Sequence, residues 1–153
     1  MEWKTRTFSQ LTTAELYQLM QLRVDVFVVE QQCPYHELDG HDMNENVFHL
    51  LGYQDGKLSA YLRVLDAGVT YDNASIGRVI VAPHARGQQL GFLLVQKGIE
   101  IAQQQLNTND IKIGAQHALV DFYAALGFKA SSEPYLEDGI PHIDMQLTLK
   151  KQE

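Results

Sequence analysis

Residues 75–115 constrain the fold more than any other part of the chain. Ser75 to Ala82 has an apolar strand pattern that Pro83 stops. Gly87 to Leu106 follows without proline, with Leu90, Leu93, Leu94, Ile101 and Leu106 at helical spacing. Asn107-Thr108-Asn109 closes that helix, and Ile111 to Ala115 reads as a second strand. A strand, a long helix and a strand in that order imply a parallel pair joined by a helical crossover.

The flanking segments add antiparallel pairing. Val47 to Tyr53 and Lys57 to Leu65 are strand-like runs joined around Asp55-Gly56, a hairpin signal. Upstream, Trp3 to Phe8 reads as an edge strand. Thr12 or Thr13 is then placed to cap a helix carrying Leu16, Leu19, Met20 and Arg23 on recurring turns. The apolar spacing continues through Val24, Phe27 and Val28 as a second short helix or turn, which Pro34 ends. Asp39-Gly40 and Asn44 to Asn46 mark a loop, and Asp72 to Ala74 a turn. Downstream, Ala118 to Leu126 is a helix closed by Gly127. Phe128 to Ser131 and Ile143 to Leu149 are closing strands, separated by a loop containing Asp138-Gly139 and Pro141. The expected fold is a mixed α/β sheet in one domain spanning 1–153.

Composition narrows the function. The chain has 153 residues, 45% apolar and 20% charged, which fits one globular domain. No apolar run approaches the ~20 residues of a membrane span, and the start at Met1 has no secretory pattern. One cysteine, Cys33, leaves no internal disulfide and fits a reducing cytoplasm. The formal charge of −7 lacks the basic footprint of a nucleic-acid binder. That charge sits in one place. Residues 24–56 contain no Lys or Arg but hold Asp25, Glu30, Glu37, Asp39, Asp42, Glu45 and Asp55. Such a segment is either a solvated loop or an acidic face that gathers cations, protonated amines among them.

The chemistry-bearing stretch is Arg78-Val79-Ile80-Val81-Ala82-Pro83-His84-Ala85-Arg86-Gly87-Gln88-Gln89-Leu90-Gly91. A tight Arg-Gly turn feeds a long helix whose first N–H groups lack intrahelical partners and sit at the positive end of its dipole. A pyrophosphate suits that position, and Arg86 adds a charged donor.

Arg86-Gly87-x-x-Leu90-Gly91, followed by Ala118-x-x-x-Phe122-Tyr123-x-x-x-Gly127-Phe128, resembles the GCN5-related N-acetyltransferase (GNAT) superfamily. Leu22-Arg23-x-x-Val26-Phe27-Val28-Val29-Glu30-Gln31-x-Cys33-Pro34-Tyr35-x-Glu37-x-Asp39-Gly40-x-Asp42 and Asp138-Gly139-Ile140-Pro141-His142-Ile143 are similar to its bacterial ElaA-like subgroup. The resemblance runs from Trp3 to Leu149 and implies a mixed sheet with helices on both faces.

It also implies acetyl transfer from acetyl-CoA, as co-substrate, directly to an amine, with no metal. Val79, Ile80 and Val81 would lie at a splay between parallel strands, offering backbone groups to the cofactor's arm and its thioester carbonyl. Arg86, Gly87, Gln88, Gln89, Leu90 and Gly91 would bind the pyrophosphate, and Gln116 the arm. Tyr123 would stand beside the sulfur as general acid. Two positions depart from the pattern: Gln89 stands where many members have a second glycine, and His84 where Gln or Arg is usual. The resemblance supplies no acceptor; a homodimer is compatible with it.

Amine acylation needs a neutral amine, and an alkylamine of pKa ~10 is almost wholly protonated at neutral pH. A base is therefore required. Glu30 and His142 lead the candidates, ahead of His49 and His117. The acidic segment, through Asp39 and Asp42, points to a small-molecule or protein amine as partner. Competing readings are a metal site at His36, Asp39, His41 and Asp42, whose spacing matches no closed zinc site, and Cys33 as a nucleophile. A further alternative is a non-catalytic acyl-CoA-binding module.

Overall fold

The computed structural model describes residues 1–149, so the last four residues of the expected 1–153 domain lie outside the described residues. Eight strands form one sheet: β1 (Glu2–Arg6), β2 (Val47–Gln54), β3 (Lys57–Leu65), β4 (Ala74–Val81), β5 (Asp110–Gln116), β6 (Lys129–Ala130), β7 (Tyr135–Glu137) and β8 (Ile140–Thr148). Their order is β1-β2-β3-β4-β5-β8-β6, with β7 also on β8. Among the described residues only β4 and β5 pair in parallel. The intervening helix is α2 (Leu90–Gln105), flanked in sequence by α1 (Thr13–Arg23) and α3 (Val120–Ala125).

Strand alternation divides the apolar residues between two faces. Leu50, Leu62, Val64, Ile76, Ile111, Ile113 and Met145 face α2 and α3 in the larger core. Gly98 lets α2 lie against β3, since a Cβ there would stand 2.9 Å from Leu62 Cδ2. On the other face Leu19 and Val26 pack on Leu51, Tyr61 and Ile80. Helices thus cover both faces, as expected.

Several boundaries differ from the sequence reading. Thr12 is the cap of α1: Glu15 N–H donates to its hydroxyl at 3.0 Å while Glu15 Oε1 accepts from Thr12 N–H at 2.9 Å. The helix then widens into a π-helical stretch over Val24–Glu30. Gly87–Gln89 belong to the turn before α2. The expected loop around Asp138-Gly139 is the tight turn of a β7–β8 hairpin. Pro141 is accommodated because it sits at the start of β8, one residue before pairing with β5 begins at His142.

In the base-free segment Asp25, Glu45 and Asp55 are exposed, whereas Glu37, Asp39 and Asp42 are turned onto arginines. The buried Arg23 donates from Nε to Glu37 Oε1 at 2.6 Å and from Nη1 to Asp42 Oδ1 at 2.6 Å. Arg63 donates from Nη1 to Asp42 at 3.0 Å and from Nη2 to Asp39 Oδ2 at 2.5 Å. Arg78 donates from Nε to Glu37 at 3.1 Å, and the Tyr35 hydroxyl donates to the same carboxylate. Three guanidiniums face three carboxylates. The expectation that Asp39 and Asp42 draw in a cationic acceptor is therefore corrected: both spend their charge on arginines from neighbouring elements.

Burial alone would raise the Asp42 carboxyl, but the Arg23 hydrogen bond and the charges of Arg23 and Arg63 outweigh it and hold it low. Asp39 is likewise held low, chiefly by Arg63 against its own burial. A carboxyl depressed in the folded state adds stability that is complete above its unfolded pKa of about 4 and is lost as pH falls through the lower folded value. Asp42→Asn should therefore cost on the order of 3 kcal/mol at pH 7, because it leaves buried guanidiniums undercompensated. Urea unfolding at pH 7 and pH 3 checks this: the wild type should lose more stability on acidification than the variant, and equal losses would contradict it.

Candidate active site

The parallel pair β4–β5 is short. Only Ala74↔Ile111 and Ser75↔Lys112 are in register, and beyond them the strands part. On the other side of β4 the pairing to β3 continues to Ala60↔Val81, but with a shift between Tyr61 and Arg63. Arg78 and Val79 together oppose Leu62, a β-bulge, and Arg78 adopts φ 53°, a left-handed conformation that favours glycine. The Arg78 side chain is fixed by Glu37 and by the Tyr35 ring, whose centroid lies 5.5 Å from its guanidinium carbon.

Past the bulge, Ala82 N–H donates to Ser59 C=O at 2.8 Å. Alternation along the strand then turns the backbone of Ile80 toward β3 and that of Val79 and Val81 toward the open side. Ile80 is thus separated from its expected companions; its side chain is buried against Leu19 and Tyr61. The open-edge carbonyl of Val81 accepts from Arg86 Nε at 3.1 Å.

The turn leading to α2 has Gly87 at φ 84° and Gln89 at φ 57°, ψ 22° as the residue before the first helical turn. The backbone there is left-handed, which costs a residue with a Cβ about 1 kcal/mol and would suit the glycine that the resemblance implies. Gln88 accepts from Gln54 at 3.0 Å, and His84 Nε2 lies 3.0 Å from the Ser59 hydroxyl, tying the turn to the end of β2 and to β3. Arg86 forms a two-pronged pair with Glu30, at 2.5 and 2.9 Å. The Arg86 hydrogen bond, with its charge, holds the Glu30 carboxyl below its ordinary range. A carboxylate engaged in this way is a poor proton acceptor, so Glu30 is corrected from candidate base to partner of Arg86.

Beside the parted strands lies a cleft of about 1010 Å³, lined among others by Val79, Gln116, Tyr123, Cys33 and His142. Gln116 ends β5 and donates to Gln31 at 3.3 Å, joining the two walls. Tyr123 is buried between the edges of Phe122 and Phe128. Burial alone pushes its phenol up to about 12, with no neighbouring charge or hydrogen bond contributing among the described residues. His142 pairs across the strands with Gln116, and its ring stacks on Tyr135. Its Nδ1 lies 2.7 Å from Ile140 C=O. A carbonyl only accepts, so Nδ1 carries the proton, and in the neutral ring Nε2 keeps a lone pair.

Of the remaining candidates, the two histidines lie outside the cleft. His49 is fully buried on β2, with Nδ1 2.7 Å from the Tyr61 hydroxyl and Nε2 3.0 Å from Asp42 C=O, and burial lowers its pKa. It braces the arginine network. His117 is exposed outside the cleft and does not cap its helix. Cys33 is buried at the cleft wall, its thiol donating to Asp138 C=O at 3.5 Å. Among the described residues no three His, Cys, Asp or Glu side chains converge as a metal site; Asp39 and Asp42 instead face arginines. No helix among them is long and apolar enough to cross a membrane. The bulge at Arg78 and the partners of Glu37 were not read from the sequence, since an arginine carries no local signal for a left-handed backbone.

Comparison with known proteins now decides the family. A model of the acetyltransferase (GNAT) domain matches residues 13–149. The chain belongs to the GNAT family. Within it the chain is ElaA-like: it is 41% identical over 145 residues to protein ElaA of Escherichia coli K12, covering 95% of each chain. An acyl-CoA N-acyltransferase from Pseudomonas aeruginosa is 42% identical, with a TM-score of 0.90 over 97% of this chain and 100% of that one. An aminoglycoside 6′-N-acetyltransferase complexed with coenzyme A shares the fold at 15% identity, with a TM-score of 0.73 over 98% and 99%. Family and fold together support acyltransferase activity.

Gln89→Gly should raise stability by about 1 kcal/mol by relieving the left-handed backbone. Thermal unfolding checks this; an unchanged or lowered melting temperature would contradict it.

Proposed function

We propose that the protein is an N-acetyltransferase that uses acetyl-CoA as co-substrate and acylates an amine directly in a ternary complex. The observation that carries this reading is the parting of β4 from β5 after two residue pairs, beside a helix N-terminus and a large cleft. Unpaired backbone on an inner strand is costly unless something bonds it. The amide-rich arm of coenzyme A fits that edge, and its pyrophosphate fits the turn at Arg86–Gly91. That an aminoglycoside acetyltransferase of the same fold is complexed with coenzyme A supports a coenzyme A co-substrate.

Bound acetyl-CoA supplies its acyl group as a thioester. Val79 and Val81 offer backbone N–H groups where negative charge grows on the carbonyl oxygen. His142 Nε2 takes the proton that the amine must lose. Tyr123 donates a hydrogen bond to the departing sulfur. Its phenol at about 12 against an ordinary thiol at ~8.5 makes outright proton transfer uphill by about 5 kcal/mol. A hydrogen bond from a phenol kept neutral by burial is therefore its contribution.

Release of free coenzyme A across amino acids, polyamines, aminoglycosides and peptide N-termini tests the reading. Turnover of at least one class is expected. Coenzyme A binding without turnover across the panel would favour the acyl-CoA-binding module instead. With an active acceptor, Tyr123→Phe should lower kcat about 100-fold with little change in the acetyl-CoA KM; full turnover would remove Tyr123 from the mechanism. His142→Ala should abolish the acidic limb of the pH–rate profile, and a profile of unchanged shape would exclude it as base.

A further inference from the structure

With Glu30, Glu37, Asp39 and Asp42 paired to arginines, the character of the acceptor must be sought in the cleft wall. We propose that the acceptor is a small amino-acid-like molecule whose carboxylate docks on the guanidinium of Arg78, backed by Arg63. The inference rests on the acyl-transfer reading above.

Arg78 and Arg63 both line the cleft that holds Tyr123 and His142. Arg78 is held on one edge: Glu37 accepts from its Nε at 3.1 Å, the Glu37 backbone carbonyl accepts from Nη2 at 3.3 Å, and Asp39 Oδ2 lies 3.5 Å from Nη2. Its Nη1 has no partner among the described residues, and its side chain is 22% exposed. A guanidinium fixed on one edge and free on another is a preorganised carboxylate receptor, because its planar fork loses little freedom on binding.

Arg63 supplies an independent observation. Its side chain is only 4% exposed, yet Nε has no hydrogen-bond partner, the only such buried side-chain nitrogen or oxygen among the described residues. An unmet buried donor costs roughly 1–3 kcal/mol. That nitrogen is itself closed to the cleft, so in a network whose three guanidiniums and three carboxylates balance, the donor left for an incoming acceptor of hydrogen bonds is Arg78 Nη1.

The carboxylates on this wall argue against a simple cation. Both oxygens of Asp39 are engaged by Arg63, and Glu37 is shared by Arg23, Arg78 and Tyr35. Arg78 is also the residue before Val79, whose backbone faces the acyl position. A carboxylate on Arg78 thus places the rest of a small acceptor near that carbonyl. His142, with Glu137 3.8 Å from its Nε2, meets the amine from the opposite wall.

Matched pairs test this: tyrosine against tyramine, tryptophan against tryptamine, histidine against histamine, and leucine against isopentylamine. Each is followed by coenzyme A release, with coenzyme A binding measured in parallel by calorimetry. In at least one pair the amino acid should show kcat/KM about 10- to 100-fold above that of its amine. Arg78→Gln should erase the difference by raising the KM of the amino acid and not that of its matched amine, both read in the same variant so that any change at the acetyl-CoA edge cancels from the ratio. Arg78→Lys, which keeps the charge without the planar fork, should recover part of it. Amines that match or exceed their amino acids would overturn the inference, as would a ratio indifferent to Arg78→Gln or Arg78→Lys in protein that melts as wild type. Coenzyme A binding with no turnover of any pair would also overturn it while leaving the cofactor site intact. Failure to bind coenzyme A would remove the proposed function beneath it.

Discussion

Arg78 joins the two halves of the structure. Its left-handed backbone makes the bulge beside which β4 parts from β5, and its guanidinium is locked to Glu37 from the loop after α1. The parted edge faces one side of the cleft and the arginine–carboxylate network lines another. A non-glycine residue with positive φ persists only where its surroundings over-determine it. Here an ion pair, a backbone carbonyl and an aromatic face all fix the same side chain.

The same network changes the meaning of the chain's charge. Seven acids in a base-free stretch look like an electrostatic lure when counted along the sequence. In three dimensions Glu37, Asp39 and Asp42 meet Arg23, Arg63 and Arg78, and Glu30 meets Arg86. A buried ion network of this kind is weak evidence for stability as such, since desolvation offsets much of its attraction. Its clearer consequence is positional, because it holds the loop of Tyr35 and Glu37 against the open edge of the sheet.

What the sequence made legible was local. The β4–turn–α2–β5 order, the Asp55-Gly56 hairpin and the glycine after α3 each follow from periodicity or turn chemistry within a few residues. What it hid was non-local. Arg23 and Glu37 are 14 positions apart and Arg78 and Glu37 are 41 apart, so no window joins them. Arg23 lies one position before the base-free stretch and Arg63, Arg78 and Arg86 lie well beyond it, which made its acids look unpaired. The Arg-Gly turn and Tyr123 were legible by resemblance, and Tyr123 lines the cleft. Glu30 as base was not supportable without its partner in view, and Ile80 needed the strand's register to be separated from Val79 and Val81.

Amide hydrogen exchange with and without coenzyme A tests the central claim most directly, because it reads the backbone groups on which the account depends. Slowed exchange is predicted at Val79 and Val81 and across residues 86–91, with Ile80 already slow in the free protein. Protection confined to other segments, or none at saturating coenzyme A, would contradict it.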